Sequence, residues 1–376
     1  MPSRENQTTE LTLVSPFPAF EFARLVVLRR VDMSCYSGDS IPTRAFCGCV
    51  NLVDVTLPPS LISIGVAAFN ECSSIVHIDV PPSVELISSE AFKDCGALRS
   101  VNFGVHPRLT QLGATIFGGC LSLESIDLPP SIHLLPSYTF KGCISLSNVN
   151  LPHRLSWIGY ASFEGCTSLH HLDFPPELLT IATCAFKQSG LQSVDLRHTD
   201  CTTIEKSAFV QCGFLETTHL PPGLLSLESH VLGYCRNLCR VDIPPGISNI
   251  DAFAFAGCRS LGILRIPKSV LTIDPAAFSR TRPRALIFEG RPIAGIMRGN
   301  PAAAIFLDRP LNFFVPPTTI LPRSDAFFST QNPLCTETTT KNVDALSYLL
   351  CALWSVPPEV SLIVASFLPI DCEFLS

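Results

Sequence analysis

One spacing constrains this chain more than any other property. Phenylalanine recurs at Phe46, Phe69, Phe92, Phe117, Phe140, Phe163, Phe186, Phe209, Phe255 and Phe278, with Leu232 filling the one missing place. Every interval is 23 residues except Phe92 to Phe117, which is 25. Three residues after the anchor comes cysteine, from Cys49 and Cys72 through Cys235 and Cys258, and only Ser189 and Thr281 depart from that column. Six after most anchors stands Leu or Ile, as at Leu52, Ile75 and Leu98, followed by an apolar-polar-apolar triplet such as Val55-Thr56-Leu57 or Ile126-Asp127-Leu128. A fixed period of this length, kept over ten successive copies, is the signature of a solenoid.

Each column has a physical reason. The triplet alternates with period two, so its outer residues point inward while the middle one faces solvent from a short strand. Pro-Pro follows at 58/59, 81/82, 129/130, 175/176, 221/222 and 244/245. It removes two backbone donors and ends the ladder, so the chain turns. A Leu-x-x-Ile pair, Leu61 and Ile64 or Leu178 and Ile181, brings it back along the far side, and Ala-Phe plants a ring in the core. One coil cannot bury its own apolar face, whereas stacked coils share a continuous interior. Coil spacing of about 4.8 Å gives a rod of roughly 50 Å for about eleven coils.

At these residues the chain resembles the BspA-like leucine-rich repeats, whose units share the Leu-x-x-Val-x-Leu-Pro, Ile and Ala-Phe-x-x-Cys layout. The resemblance covers about residues 22–290. It implies a leucine-rich repeat solenoid: a right-handed coiled array with a parallel β-sheet on one face. It also implies an interaction module, often found at cell surfaces.

Four segments are expected: an amino-terminal tail over 1–21, the solenoid over 22–290, an irregular Pro/Thr-rich connector over 291–340, and a helical hairpin over 341–376. Phe22, Leu25, Leu28, Val31 and Met33 fit the repeat as a degenerate first coil, and Leu286-Ile287-Phe288 reads as the last strand. In the hairpin Leu346, Leu349, Leu350 and Leu353 have helical spacing, and Pro357-Pro358-Glu359 opens a second helix. The hairpin is expected to cap the array. "VPPEVSLIVASFLP" also looks like the opening of an F-box, the adaptor motif of ubiquitin ligases. Pro357, Pro358 and Glu359 argue against a membrane span there.

Composition excludes several function classes. The chain of 376 residues is 47% hydrophobic and 15% charged, so a large interior is available. A net charge of −6 without a basic run argues against a nucleic-acid partner. The first twenty residues carry no readable secretory signal, so the expected location is cytoplasmic and the 17 cysteines are expected to be mostly free thiols. No phosphate loop, zinc-protease or hydrolase motif appears. Adjacent His170 and His171 face opposite sides of a strand and cannot chelate one ion, and the cysteine column reads as small apolar filler. No catalytic, cofactor-binding or metal set is assigned, no cofactor is expected, and the chain is read as not an enzyme.

The patterned surface is the outward side of the strands. Asp32, Asp54, Asp79, Asn102, Asp127, Asn150, Asp173, Asp195, His219 and Asp242 form the candidate partner-binding strip. Neighbouring carboxylates at strand spacing are expected to repel. Three readings stand side by side: a solvated face of short polar side chains, an acidic recognition strip for a basic protein or peptide, and a column bridged by divalent cations. The functional expectation is a non-enzymatic scaffold binding a protein partner through the strand face. The alternatives are a ubiquitin-ligase adaptor using the carboxy-terminal hairpin and a cell-surface adhesin.

Overall fold

In each unit the strand is a polar-apolar-polar triplet, as at Asp54–Thr56, where Val55 points into the core and its neighbours face outward. The next apolar residue, Leu57, is buried at the turn that follows. The computed structural model describes residues 9–281, 283–289 and 304–306. Over them the chain is a parallel β-solenoid of about 12 turns. Strands lie in register one unit apart, with Arg30 beside Asp54, His77 beside Ser100 and Ser125 beside Asn148.

A second ladder runs along the return side, which the sequence did not announce. It consists of eleven two-residue strands, from Ser40–Ile41 and Ser63–Ile64 to Thr272–Ile273, again parallel and in register. Two residues are too few for alternation to be visible, and only the buried Ile or Leu of each doublet marks it. A third side carries the Phe turns. Here Arg44, Phe46 and Gly48 donate their amide N–H groups to the carbonyls of Val66, Ala68 and Asn70 at 2.8, 2.8 and 2.7 Å, and equivalent bonds recur from coil to coil. Most coils are therefore bonded to the next on more than one side, which satisfies backbone groups that would otherwise be buried unpaired. The triplet pairing lapses between Asp54–Thr56 and His77–Asp79, between Ser100–Asn102 and Ser125–Asp127 and between Arg240–Asp242 and Ile263–Ile266, and the doublet pairing between Gln111–Leu112 and Leu134–Leu135 and between Thr203–Ile204 and Ser226–Leu227.

The core is a set of stacked columns. Rings from Phe46 to Phe209 are fully buried, with successive centroids 5.1–5.9 Å apart. The cysteines are more than filler. Cys72, Cys95, Cys143 and Cys166 each donate from Sγ to the carbonyl of the Phe one coil back, all at 3.1 Å. Thr281 makes the same bond to Phe255 through Oγ1. Burial pushes the thiols of Cys95 and Cys143 up to about 12.

The ladder reaches beyond the expected ends. Glu10–Thr12 pairs with Arg30–Asp32, inside the segment read as a tail. Ala285–Phe288 is followed by one more paired strand, Ala304–Phe306, inside the segment read as a connector. The remainder of that connector, the hairpin cap and the F-box resemblance lie outside the described residues.

Candidate functional site

The strip takes its positions from the triplets. Asp32, Asp79, Asn102, Asp127, Asn150, Asp195, His219 and Asp242 each end a strand and form one outward row. Asp54 does not belong to that row. It opens its strand, so it stands beside Arg30, and Thr56 occupies the place opposite Asp32. Asp173 is exposed but lies on His170–Phe174, the one unit whose triplet forms no strand among the described residues. The expectation that His170 and His171 point to opposite sides of a strand therefore has no strand to rest on.

The expected repulsion between carboxylates is relieved by donors, which stand beside most of them either in the neighbouring coil or two residues away in the same one. Asn102 Nδ2 donates to Asp79 Oδ1 at 2.9 Å, and Asn150 donates to Asp127. His77 Nε2 also reaches Asp79 at 3.0 Å. Arg30 Nε lies 3.1 Å from Asp54, while His219 Nδ1 and Arg240 Nε lie 2.6 and 3.2 Å from Asp242. Asp195 is gripped by both Nε and Nη2 of Arg197, at 2.9 and 2.6 Å. That fork, with a further bond from the Arg197 amide, holds the Asp195 carboxyl down at about 2. Hydrogen bonds from Asn102 and His77 lower Asp79 in the same direction. Asp173 has no such partner among the described residues.

The strip is thus a fixed row of paired polar groups. It stays acidic: Glu10, Asp32, Asp54, Asp79, Asp127, Asp173, Asp195 and Asp242 face only Arg30, Arg197, Arg240 and Arg265. Among the described residues, no three His, Cys, Asp or Glu side chains stand together in a way that could hold a metal ion. No helix of the described residues is long and apolar enough to cross a membrane.

A second surface escaped the sequence. On the doublet side Leu134 and Trp157 stand in register, with Leu179 in the next coil, and they are 58%, 39% and 47% exposed. Their signal was available in principle: Leu134 and Trp157 sit just before the buried doublet residue, where most other units carry Ser, Thr, Asn or Gln, and Leu179 sits two before it, in a column that also carries the exposed Ile62, Leu225 and Leu271.

The comparisons with known proteins agree with the columns. The family model for the BspA type leucine rich repeat region matches residues 20–143, 101–216 and 163–285. Among solved structures, a leucine-rich repeat protein from Bacteroides ovatus is 21% identical, with a TM-score of 0.64 over 80% of this chain and 84% of that one. A leucine rich cell surface protein from Faecalibacterium prausnitzii is 25% identical, with a TM-score of 0.49 over 76% of this chain and 88% of that one. No curated protein matches the sequence.

Proposed function

We propose, from the premise that this chain belongs to the BspA type leucine-rich repeat family, that it is a non-enzymatic scaffold binding a basic protein segment along the triplet face. The carrying observation is the strip itself. Most of its carboxylates are held in place before any partner arrives, by bonds from the neighbouring coil at Asp54, Asp79, Asp127 and Asp242 and from within the coil at Asp32 and Asp195, so little side-chain entropy is lost on binding. Eight carboxylates against four guanidiniums leave the face acidic, with the excess in the coils from Glu10 to Asp127, where Arg30 is the one arginine of the strip, and an extended face of one sign steers a partner of the other. Short side chains keep it flat enough for a segment to lie across several coils.

Proximity labelling in the native cell tests this with three chains: the unaltered protein, a strip variant (Asp79, Asp127, Asp173 and Asp242 to Asn), and a doublet-face variant (Leu134, Trp157 and Leu179 to Ser). Each variant is first checked for an unchanged circular dichroism spectrum. Partners lost with the strip and kept with the doublet face support the reading. Partners kept by the strip variant and lost with Trp157 place the function on the opposite side and overturn it.

A further inference from the structure

Exposed rings gather at one place on this molecule. Trp157, the only tryptophan of the described residues, stands on the doublet side with Leu134 in register one coil before it and Leu179 in the coil after it. Three residues on, past Gly159, Tyr160 is 40% exposed, and its ring meets that of Tyr138 edge-on at 5.0 Å. The turn between them is tight, since a Cβ on Gly159 would lie 2.6 Å from the carbonyl oxygen of Leu135. Two of the four exposed aromatic side chains of the described residues thus share one coil, while Phe20 and Phe214 stand singly elsewhere. Tryptophan and tyrosine, with an apolar body and a polar tip, are the residues that anchor interfaces.

The rim of this surface is basic. Lys141 lies over the Tyr138 ring at 5.2 Å and shares Glu164 with Lys187, at 3.0 and 2.9 Å. Two ammonium groups on one carboxylate leave a positive charge over. Lys206, in the next coil, has no ion pair among the described residues, and Glu205 beside it accepts from the amide and the hydroxyl of Thr183 at 2.8 and 2.7 Å. The three lysines converge on the half-buried Cys184: burial pushes its thiol up, and Lys187, Lys206 and Lys141 all pull it the other way. Three lysines against two glutamates give this surface the sign opposite to the strip, in a chain of net charge −6.

The same chain carries a stretch of matching chemistry. Residues 342–376 contain no Lys, Arg or His and four carboxylates, Asp344, Glu359, Asp371 and Glu373, spread among apolar residues such as Leu346, Leu349, Leu350 and Leu353. So apolar a stretch gains by leaving water. Reach is ample. Residues 307–341 connect it to the last described strand, Ala304–Phe306, and at about 3.3 Å per residue they span up to about 115 Å. From that strand back to the unit of Asn148–Asn150 and Trp157 is seven units, or about 34 Å at about 4.8 Å each.

We propose that residues 342–376 dock on this surface of their own chain, with their apolar side chains over Leu134, Trp157 and Tyr160 and their carboxylates towards Lys141, Lys187 and Lys206. Apolar cover selects the ring surface over the polar faces, and charge selects the basic rim over the acidic strip. The strip plays no part in the contact and stays open to a partner.

The test is zero-length cross-linking of the full chain with a carbodiimide, which joins an ammonium group to a carboxylate it touches, followed by peptide mapping of the monomer band. Links from Lys141, Lys187 or Lys206 to Asp344, Glu359, Asp371 or Glu373 are expected. Trp354→Phe leaves Trp157 as the only tryptophan of the chain. Its fluorescence is expected to resist acrylamide quenching several-fold better there than in a chain that also carries Ser at positions 346, 349, 350 and 353. Links found only in a dimer band assign the surface to a second copy and overturn the proposal. Carboxylates joined only to Lys268 make the segment a cap on the last coils, and carboxylates joined to no lysine leave the surface open. Either result overturns the proposal, as does equal quenching of Trp157 in the two chains.

Discussion

Truncating Phe140 to Ala tests whether the ring column is the spine of the fold. The Phe140 side chain is fully buried, with the Phe117 centroid 5.8 Å away on one side and the Phe163 centroid 5.4 Å away on the other. Removing a buried phenyl group costs about 3–5 kcal/mol, the lost transfer energy adding to the cavity left behind. Two ring contacts are lost together, each worth about 0.5–1.5 kcal/mol beyond burial, so the expected loss is in the upper part of that range, about 4–5 kcal/mol. The natural control is Leu232, which fills the same column fully buried. Phe140→Leu should therefore keep most of the packing and cost about 1.5 kcal/mol or less. Urea unfolding followed by circular dichroism reads both values. A loss below about 2 kcal/mol for Phe140→Ala, or equal losses for the two variants, would mean that the coil relaxes around the missing ring, and the argument from stacking would fail.

Three further outcomes are expected. Gly142 has φ +74° and open space where a Cβ would stand, so Gly142→Ala should cost about 1 kcal/mol from conformation alone; Glu71, at φ +62° in the same column, should gain about as much on becoming Gly. Thermal melts that shift the same way for both variants would refute this assignment. Alkylation of the folded chain should reach Cys35 first and leave Cys72 to Cys166 unmodified until urea is added; early labelling of Cys120 in a peptide map would contradict the sealed column. The folded Asp195 carboxyl titrates at about 2 against an ordinary 3.8, so its pairing with Arg197 stabilises the fold above pH 3.8, and the contribution is lost as pH falls towards 2. Arg197→Ala should therefore destabilise at pH 6 and make little difference at pH 2. A penalty independent of pH would show that Arg197 acts by packing.

The sequence carried the columns and missed what lies between them. Phe, Cys and Leu recur because each fills a fixed place in the core, so their spacing was readable without coordinates. Subtracting 23 also places Asn102 beside Asp79 and Asn150 beside Asp127; the strip was read with these Asn residues in it, but the repulsion was expected without pairing each carboxylate to its neighbour one period away. The doublet ladder was not legible, since Ser63–Ile64 and its equivalents are held by backbone bonds that any residue can make. Nor was the strand at Glu10–Thr12, which has no Phe or Pro-Pro to mark its unit. His171-Leu172-Asp173 reads as an ordinary triplet followed by Phe174, yet it forms no strand, and nothing in its own residues marks the difference. In a stacked array the neighbour decides whether a strand forms.

The bond from each column thiol to a carbonyl of the ring column one coil back, a Phe in most coils and Leu232 for Cys258, has a consequence for how such a chain meets oxidants. A thiolate is needed for disulfide exchange, and Cys95 and Cys143, at about 12, present almost none near neutral pH. Oxidants and glutathione reach the exposed Cys35 and the half-buried Cys47, Cys184 and Cys239 before any thiol of the column. The 17 cysteines, expected to be mostly free thiols because no secretory signal is readable, are therefore silent on the compartment where the column is concerned: Cys72 to Cys166 are tied by their bonds to the turn one coil back and keep their covalent state in either redox environment.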